Sequence, residues 1–192
     1  MVVAKGLAMV RTALVVCLLS GTAAAGELDL DLGLQASTTP WQGDHGGGTV
    51  LDLGYWFLPW IGTSFIGKEQ YATVDDRFLS YFSLNAAGRQ ELGPVRVTCT
   101  LGLVHQHEEP RAAISAQPLE ALFGVGDGIR HRMGARAGLQ VALPVWDWGR
   151  GIMFVALDLD LTKFMDMDKG PSWMTSGGVS FGATYDFHRG SK

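Results

Sequence analysis

Period-2 alternation of apolar and polar residues recurs along most of the chain, the mark of β-strands whose two faces meet different surroundings. From Glu27 to Ala36 the residues Leu28, Leu30, Leu32 and Leu34 interleave with Asp29, Asp31, Gly33 and Gln35. A second segment, Thr49 to Phe57, sets Leu51, Leu53, Tyr55 and Phe57 against Asp52, Gly54 and Trp56. The third (about 61–71) and fourth (about 77–85) alternate less cleanly, and their faces stay open at this level. In the fifth, Val95, Val97, Cys99, Leu101 and Leu103 oppose Arg96, Thr98, Thr100 and Gly102. The sixth opposes Met133, Ala135, Ala137, Leu139 and Val141 to Arg132, Gly134, Arg136, Gly138 and Gln140. In the seventh, Met153, Val155, Leu157, Leu159 and Leu161 alternate with Ala156, Asp158, Asp160 and Thr162. The eighth, Val179 to Phe187, alternates Val179, Phe181, Ala183, Tyr185 and Phe187 with Ser180, Gly182, Thr184 and Asp186. The only helical stretch expected is a short one near Pro118 to Phe123.

Alternation alone does not say which face is wet. Three features decide for apolar outside. Gly33, Gly54, Gly102, Gly134, Gly138 and Gly182 all sit on the polar face, where a crowded lumen demands small residues. The clear strands run about 9 to 11 residues, the length that crosses a bilayer when tilted. Aromatic residues crowd the strand ends (Tyr55, Phe57 and Trp60; Trp146 and Trp148; Tyr185 and Phe187), as an interfacial girdle does. The expected fold is an all-β, eight-stranded antiparallel up-and-down transmembrane barrel. Short turns are expected at Leu58 to Trp60, Ala86 to Pro94 and Pro144 to Gly151. Longer loops are expected at 37–48, 72–76, 108–128 and 165–176 at the opposite end, with both termini on the short-turn side.

The first 25 residues read as a cleaved export signal: Lys5 and Arg11 precede an apolar run from Ala13 to Leu19, and small residues follow as far as Ala25. The barrel is then 26–187, with 188–192 a short tail. Cys99 is the one cysteine outside that signal, so no internal disulfide is expected. Of 192 residues, 18% are charged and 47% hydrophobic, and setting aside Lys5 and Arg11 leaves 13 basic residues against 19 acidic. That balance argues against nucleic acid as a partner.

The segment Ser180-Phe181-Gly182-Ala183-Thr184-Tyr185-Asp186-Phe187 resembles the C-terminal insertion signal of Gram-negative outer-membrane barrels, carried by Ser180, Gly182, Tyr185 and Phe187. With the export signal and eight strands, the chain resembles the small OmpA-like, OmpX-like and OmpW-like barrels. The resemblance implies outer-membrane lipid, lipopolysaccharide and the barrel-assembly machinery as partners, a monomer, no cofactor, and a structural, adhesion or surface-interaction role without catalysis. The alternatives are a narrow channel for small or hydrophobic solutes and a lipid A-modifying acyl hydrolase. The latter resemblance lacks its His-x-Ser pair, since His105-Gln106-His107 stands here and Ser115 lies apart.

With the apolar face on lipid, the lumen receives Asp29, Asp31, Asp52, Arg96, Arg130, Arg132, Arg136, Asp158, Asp160 and Asp186. Such charges need partners. A turn centred near Asp147 sets Arg136 opposite Asp158 and Arg132 opposite Thr162, so an arginine–carboxylate ladder is expected. His105 and His107 share the apolar parity near the end of the fifth strand, and His131 shares it at the start of the sixth. They are weak candidates for a metal or proton-sensitive site, against the plainer reading of rim histidines at headgroup level. In the longest loop, Ile114, Leu119, Leu122 and Phe123 are expected to cap the barrel mouth.

Overall fold

The computed structural model describes residues 26–39, 44–73, 76–117, 125, 128–166 and 170–187. Eight strands follow one another: β1 (Glu27–Thr38), β2 (His45–Leu58), β3 (Ile61–Ala72), β4 (Arg77–Leu92), β5 (Val95–Pro110), β6 (Arg130–Asp147), β7 (Gly151–Phe164) and β8 (Trp173–Asp186). Each pairs antiparallel with its sequence neighbour, and β1 pairs with β8, so the sheet closes on itself. Closure removes the two edges that an open sheet of this length would expose.

The faces follow the alternation. Leu32, Leu34, Leu101, Leu103, Leu157 and Leu159 all point outward and are between 59% and 67% exposed. Asp31, Arg132, Arg136 and Asp160 point inward and are buried. An outer wall this apolar, wrapped around a charged interior, inverts the rule for soluble proteins. Among the described residues, no helix is long and apolar enough to cross a membrane.

The strands exceed the expected lengths at several ends. β4 does not turn at Ala86: it continues to Leu92 and pairs fully with β5, with Leu92 opposite Val95. That leaves Gly93-Pro94 as a two-residue hairpin turn. Gly93 takes φ 64° there, which suits glycine at the first central position of a primed turn. β6 likewise runs through Pro144 to Asp147, with a bulge between Pro144 and Trp146, and the turn narrows to Trp148–Arg150. This moves the β6–β7 register. Arg136 faces Thr162 and Gln140 faces Asp158, in place of the expected Arg136–Asp158 pair, because the turn centres on Gly149 and not on Asp147.

At the opposite end, a six-residue helix, α1 (Arg111–Ala116), opens the β5–β6 loop. The helix expected near Pro118 to Phe123, the export signal and the tail all lie outside the described residues. The end bearing the β2–β3, β4–β5 and β6–β7 connections is called the turn end below, and the other the loop end. Aromatic pairs sit at the turn end, with Tyr55–Phe57 centroids 5.1 Å apart, Tyr185–Phe187 5.0 Å and Trp146–Trp148 6.4 Å.

Candidate functional site

Two constellations carry chemistry: the filled lumen, and a polar patch on the outer wall at the loop end.

The lumen is crossed by three tiers of charge. At the turn end Arg89 lies 4.3 Å from the centroid of the Trp56 ring, pairs with Glu27 and donates to the Pro59 carbonyl at 2.7 Å. Trp56 Nε1 donates to Asp29 at 2.6 Å, while Arg96 reaches Glu91 at 2.8 Å and Thr184 at 2.8 Å. In the middle tier, Asp31 and Asp158 are joined through Gln140 (2.7 and 3.0 Å) and through Ser180 (3.0 and 2.6 Å). Lys68 meets Asp160 at 2.7 Å, and Arg136 Nε stands 3.6 Å from the other Asp160 oxygen. Arg136 also donates to Thr100 at 2.7 Å. The loop-end tier centres on Glu108, which takes Arg132 at 3.2 Å and Arg130 at 3.8 Å. Arg132 also covers the Phe164 ring at 4.1 Å and donates to the Pro171 carbonyl at 2.7 Å. Around this tier Leu79, Tyr81, Val104, Phe164 and Met174 form a buried apolar cluster inside the barrel.

The sequence-derived lumen set therefore lies on one face, with Asp52 and Asp186 on the same inward parity. The lumen also holds partners that sequence reasoning missed. Lys68, Arg89, Glu27 and Glu108 are among them. The missing signal for Lys68 and Arg89 was a clean alternation in the third strand and recognition that the fourth strand extends past Asn85. Of the insertion-signal residues, Ser180 and Gly182 face inward, Tyr185 faces outward and Phe187 follows the end of β8.

The outer patch is built by register. Glu69 on β3 lies opposite Ser80 on β4, Ser80 opposite His107 on β5, and His107 opposite His131 on β6. This row runs across four strands on the outward face. His105 and Glu109 flank His107 at two residues either way, so they share its face. The ring centroids of His105, His107 and His131 lie 4.6, 4.7 and 5.5 Å apart pairwise. His105 Nε2 is 2.8 Å from His107 Nε2 and 3.4 Å from His131 Nδ1. Behind the rings Ser80 Oγ, which is buried, donates to Glu69 at 2.9 Å and lies 3.3 Å from Glu109. His107 Nδ1 and Glu109 Oε1 face each other at 4.0 Å, and both lack a hydrogen-bond partner.

No known family model matches the chain, and no curated protein matches it. Solved structures do share the fold. Neisserial surface protein A superposes with a TM-score of 0.55 at 11% identity, over 84% of this chain and 97% of that one. Ail, the attachment invasion locus protein of Yersinia pestis, in complex with the heparin analogue sucrose octasulfate, gives 0.54 at 16% identity, over 85% and 99%. The architecture expected from alternation, glycine placement, strand length and aromatic position, a closed eight-stranded barrel with its apolar face outward, is the fold that these solved outer-membrane proteins share.

Proposed function

We propose that this chain is an exported, integral outer-membrane barrel that acts at the cell surface through its loop end, without catalysis and without a conducting lumen. The observation that carries this reading is the inverted wall: a leucine-rich outer face about a lumen filled by ion pairs. A soluble barrel with that surface would aggregate, whereas in a bilayer the same leucines meet acyl chains. The loop end carries the longer connections and offers the surface for adhesion or other contacts. Ail, a barrel of the same fold, was solved in complex with a heparin analogue, which supports ligand contact as a role open to such a barrel. Outer-membrane lipid and lipopolysaccharide surround the wall in this reading, and the Ser180 to Phe187 strand serves insertion by the assembly machinery. In the same reading the barrel is a monomer, with β1–β8 closure leaving no strand edge through which a second copy could pair.

The deciding experiment is electrophoretic. Membrane fractions are run in detergent gels with and without boiling, since an intact closed barrel resists detergent and migrates faster unboiled. A mobility shift in the outer-membrane fraction is expected. A soluble periplasmic protein with no shift would overturn the membrane assignment and turn the barrel into a ligand container.

A further inference from the structure

On the outer wall at the loop end, the three imidazoles each bring a ring nitrogen within 4.8 Å of the other two. His105 Nδ1 lies 3.0 Å from the Met133 sulfur, a weak acceptor. His107 Nδ1 faces the Glu109 carboxylate at 4.0 Å, so the His105 and His107 rings both turn Nε2 toward the cluster. The two Nε2 atoms stand 2.8 Å apart, with His131 Nδ1 3.4 Å from that of His105. At that separation the two nitrogens share either a proton or a cation. A ring nitrogen carries one proton or one lone pair, so His105 Nε2 cannot satisfy both neighbours by hydrogen bonding. Imidazole nitrogens about 2.0–2.1 Å from a tetrahedral zinc ion stand roughly 3.3 Å apart, so the two observed separations bracket that spacing.

We propose that His105, His107 and His131 bind one divalent late transition-metal ion, zinc foremost, on the outward face of β5 and β6. Imidazole donors suit zinc, copper and nickel, and among the described residues no further histidine, cysteine or carboxylate joins the three, which leaves the fourth position to water or another donor. Glu109 supplies the orienting carboxylate. Its Oε1 and His107 Nδ1 are both orphaned at 4.0 Å, a gap that a small ring rotation closes once the metal fixes Nε2. Glu69 adds a second carboxyl group behind Ser80. The pair His107–His131 is fixed by strand register, and the site is therefore assembled by the folded barrel rather than by any local segment.

The test uses tag-free barrel refolded in detergent and titrated with Zn²⁺ against a chromophoric chelator. One equivalent bound at micromolar affinity or tighter is expected, with X-ray absorption counting three imidazoles. His105→Ala, His107→Ala and His131→Ala should each weaken binding tenfold or more, and Glu109→Gln by about 10- to 100-fold. All four should keep the unboiled gel shift, because these residues stand at the rim, outside the lumen network. His45→Ala, remote on β2, should leave affinity unchanged. Absence of saturable binding in shift-positive protein, or one equivalent that survives loss of His105 and His131, would overturn the site and leave three rim histidines. Loss of the gel shift in the wild type would count against the membrane assignment instead, so the two failures read differently.

Discussion

Asp160 shows at one residue how the lumen is held. Its carboxylate takes Lys68 on one oxygen and Arg136 on the other, at 2.7 and 3.6 Å, with both Lys68 and Asp160 side chains at most 2% exposed. Removing the one anion leaves two cations facing each other in a space without bulk water. Asp160→Asn should therefore cost about 3–5 kcal/mol, the range for breaking a buried ion pair one-sidedly. Lys68→Met should cost less, because Arg136 still neutralises Asp160 and the methionine fills part of the volume. Urea unfolding of the refolded barrel, followed by tryptophan fluorescence, measures both. If Asp160→Asn changed stability by less than about 1 kcal/mol, the tier would be decorative, as many exposed ion pairs are.

At the scale of strands, closeness of approach decides which glycines are required. A Cβ on Gly102, which faces the lumen from β5, would lie 2.3 Å from the Leu84 carbonyl and 2.2 Å from Asn85 Oδ1. On Gly88, which faces outward from β4, the nearest atom would be 3.8 Å away. Gly102→Ala should thus lower stability by about 1–3 kcal/mol through forced backbone shifts, whereas Gly88→Ala should be neutral or better. The urea midpoints of the two variants check the contrast, and equal midpoints would mean that the wall yields easily. The same closeness explains what the sequence could show. Where the outer wall is leucine and the lumen is glycine, aspartate or arginine, as in β1, β5 and β7, alternation reports the faces directly. It fails at the loop ends of β3 and β4. There the inside carries Leu79 and Tyr81 of the apolar cluster, and the outside carries Glu69 and Ser80, so the usual contrast is reversed. The β6–β7 register was lost for another reason: the bulge at Pro144 and the turn at Gly149 are backbone choices that leave no mark on hydrophobic period. His131 could be placed beside the β5 histidines because parity alone restricts the choice. The convergence of three nitrogens needed the exact pairing of His107 with His131, and the Glu69–Ser80–Glu109 background needed faces that alternation had left open.

For the whole molecule the question is whether an ion can pass from end to end. Eight strands enclose an interior only wide enough for their own side chains. Here charged groups meet inside it at three heights: Arg89 against Trp56 and Glu27, Lys68 and Arg136 against Asp160, and Arg132 and Arg130 against Glu108. Two of the tiers join strands far apart in the chain, β3 to β7 through Lys68 and β1 to β4 through Arg89, so those pairs also tie distant walls together, whereas Glu108 with Arg130 and Arg132 joins the neighbouring β5 and β6. Opening any tier therefore costs stability, and conduction and folding compete for the same residues. Purified barrel in planar bilayers should show no discrete conductance steps. Arg136→Ala should lower the unfolding midpoint without producing an anion- or cation-selective current, because the tiers above and below remain shut. Steps in the wild type whose ion preference shifts on neutralising Arg136 would instead make the middle tier a selectivity ring, and the charges a pathway rather than a plug.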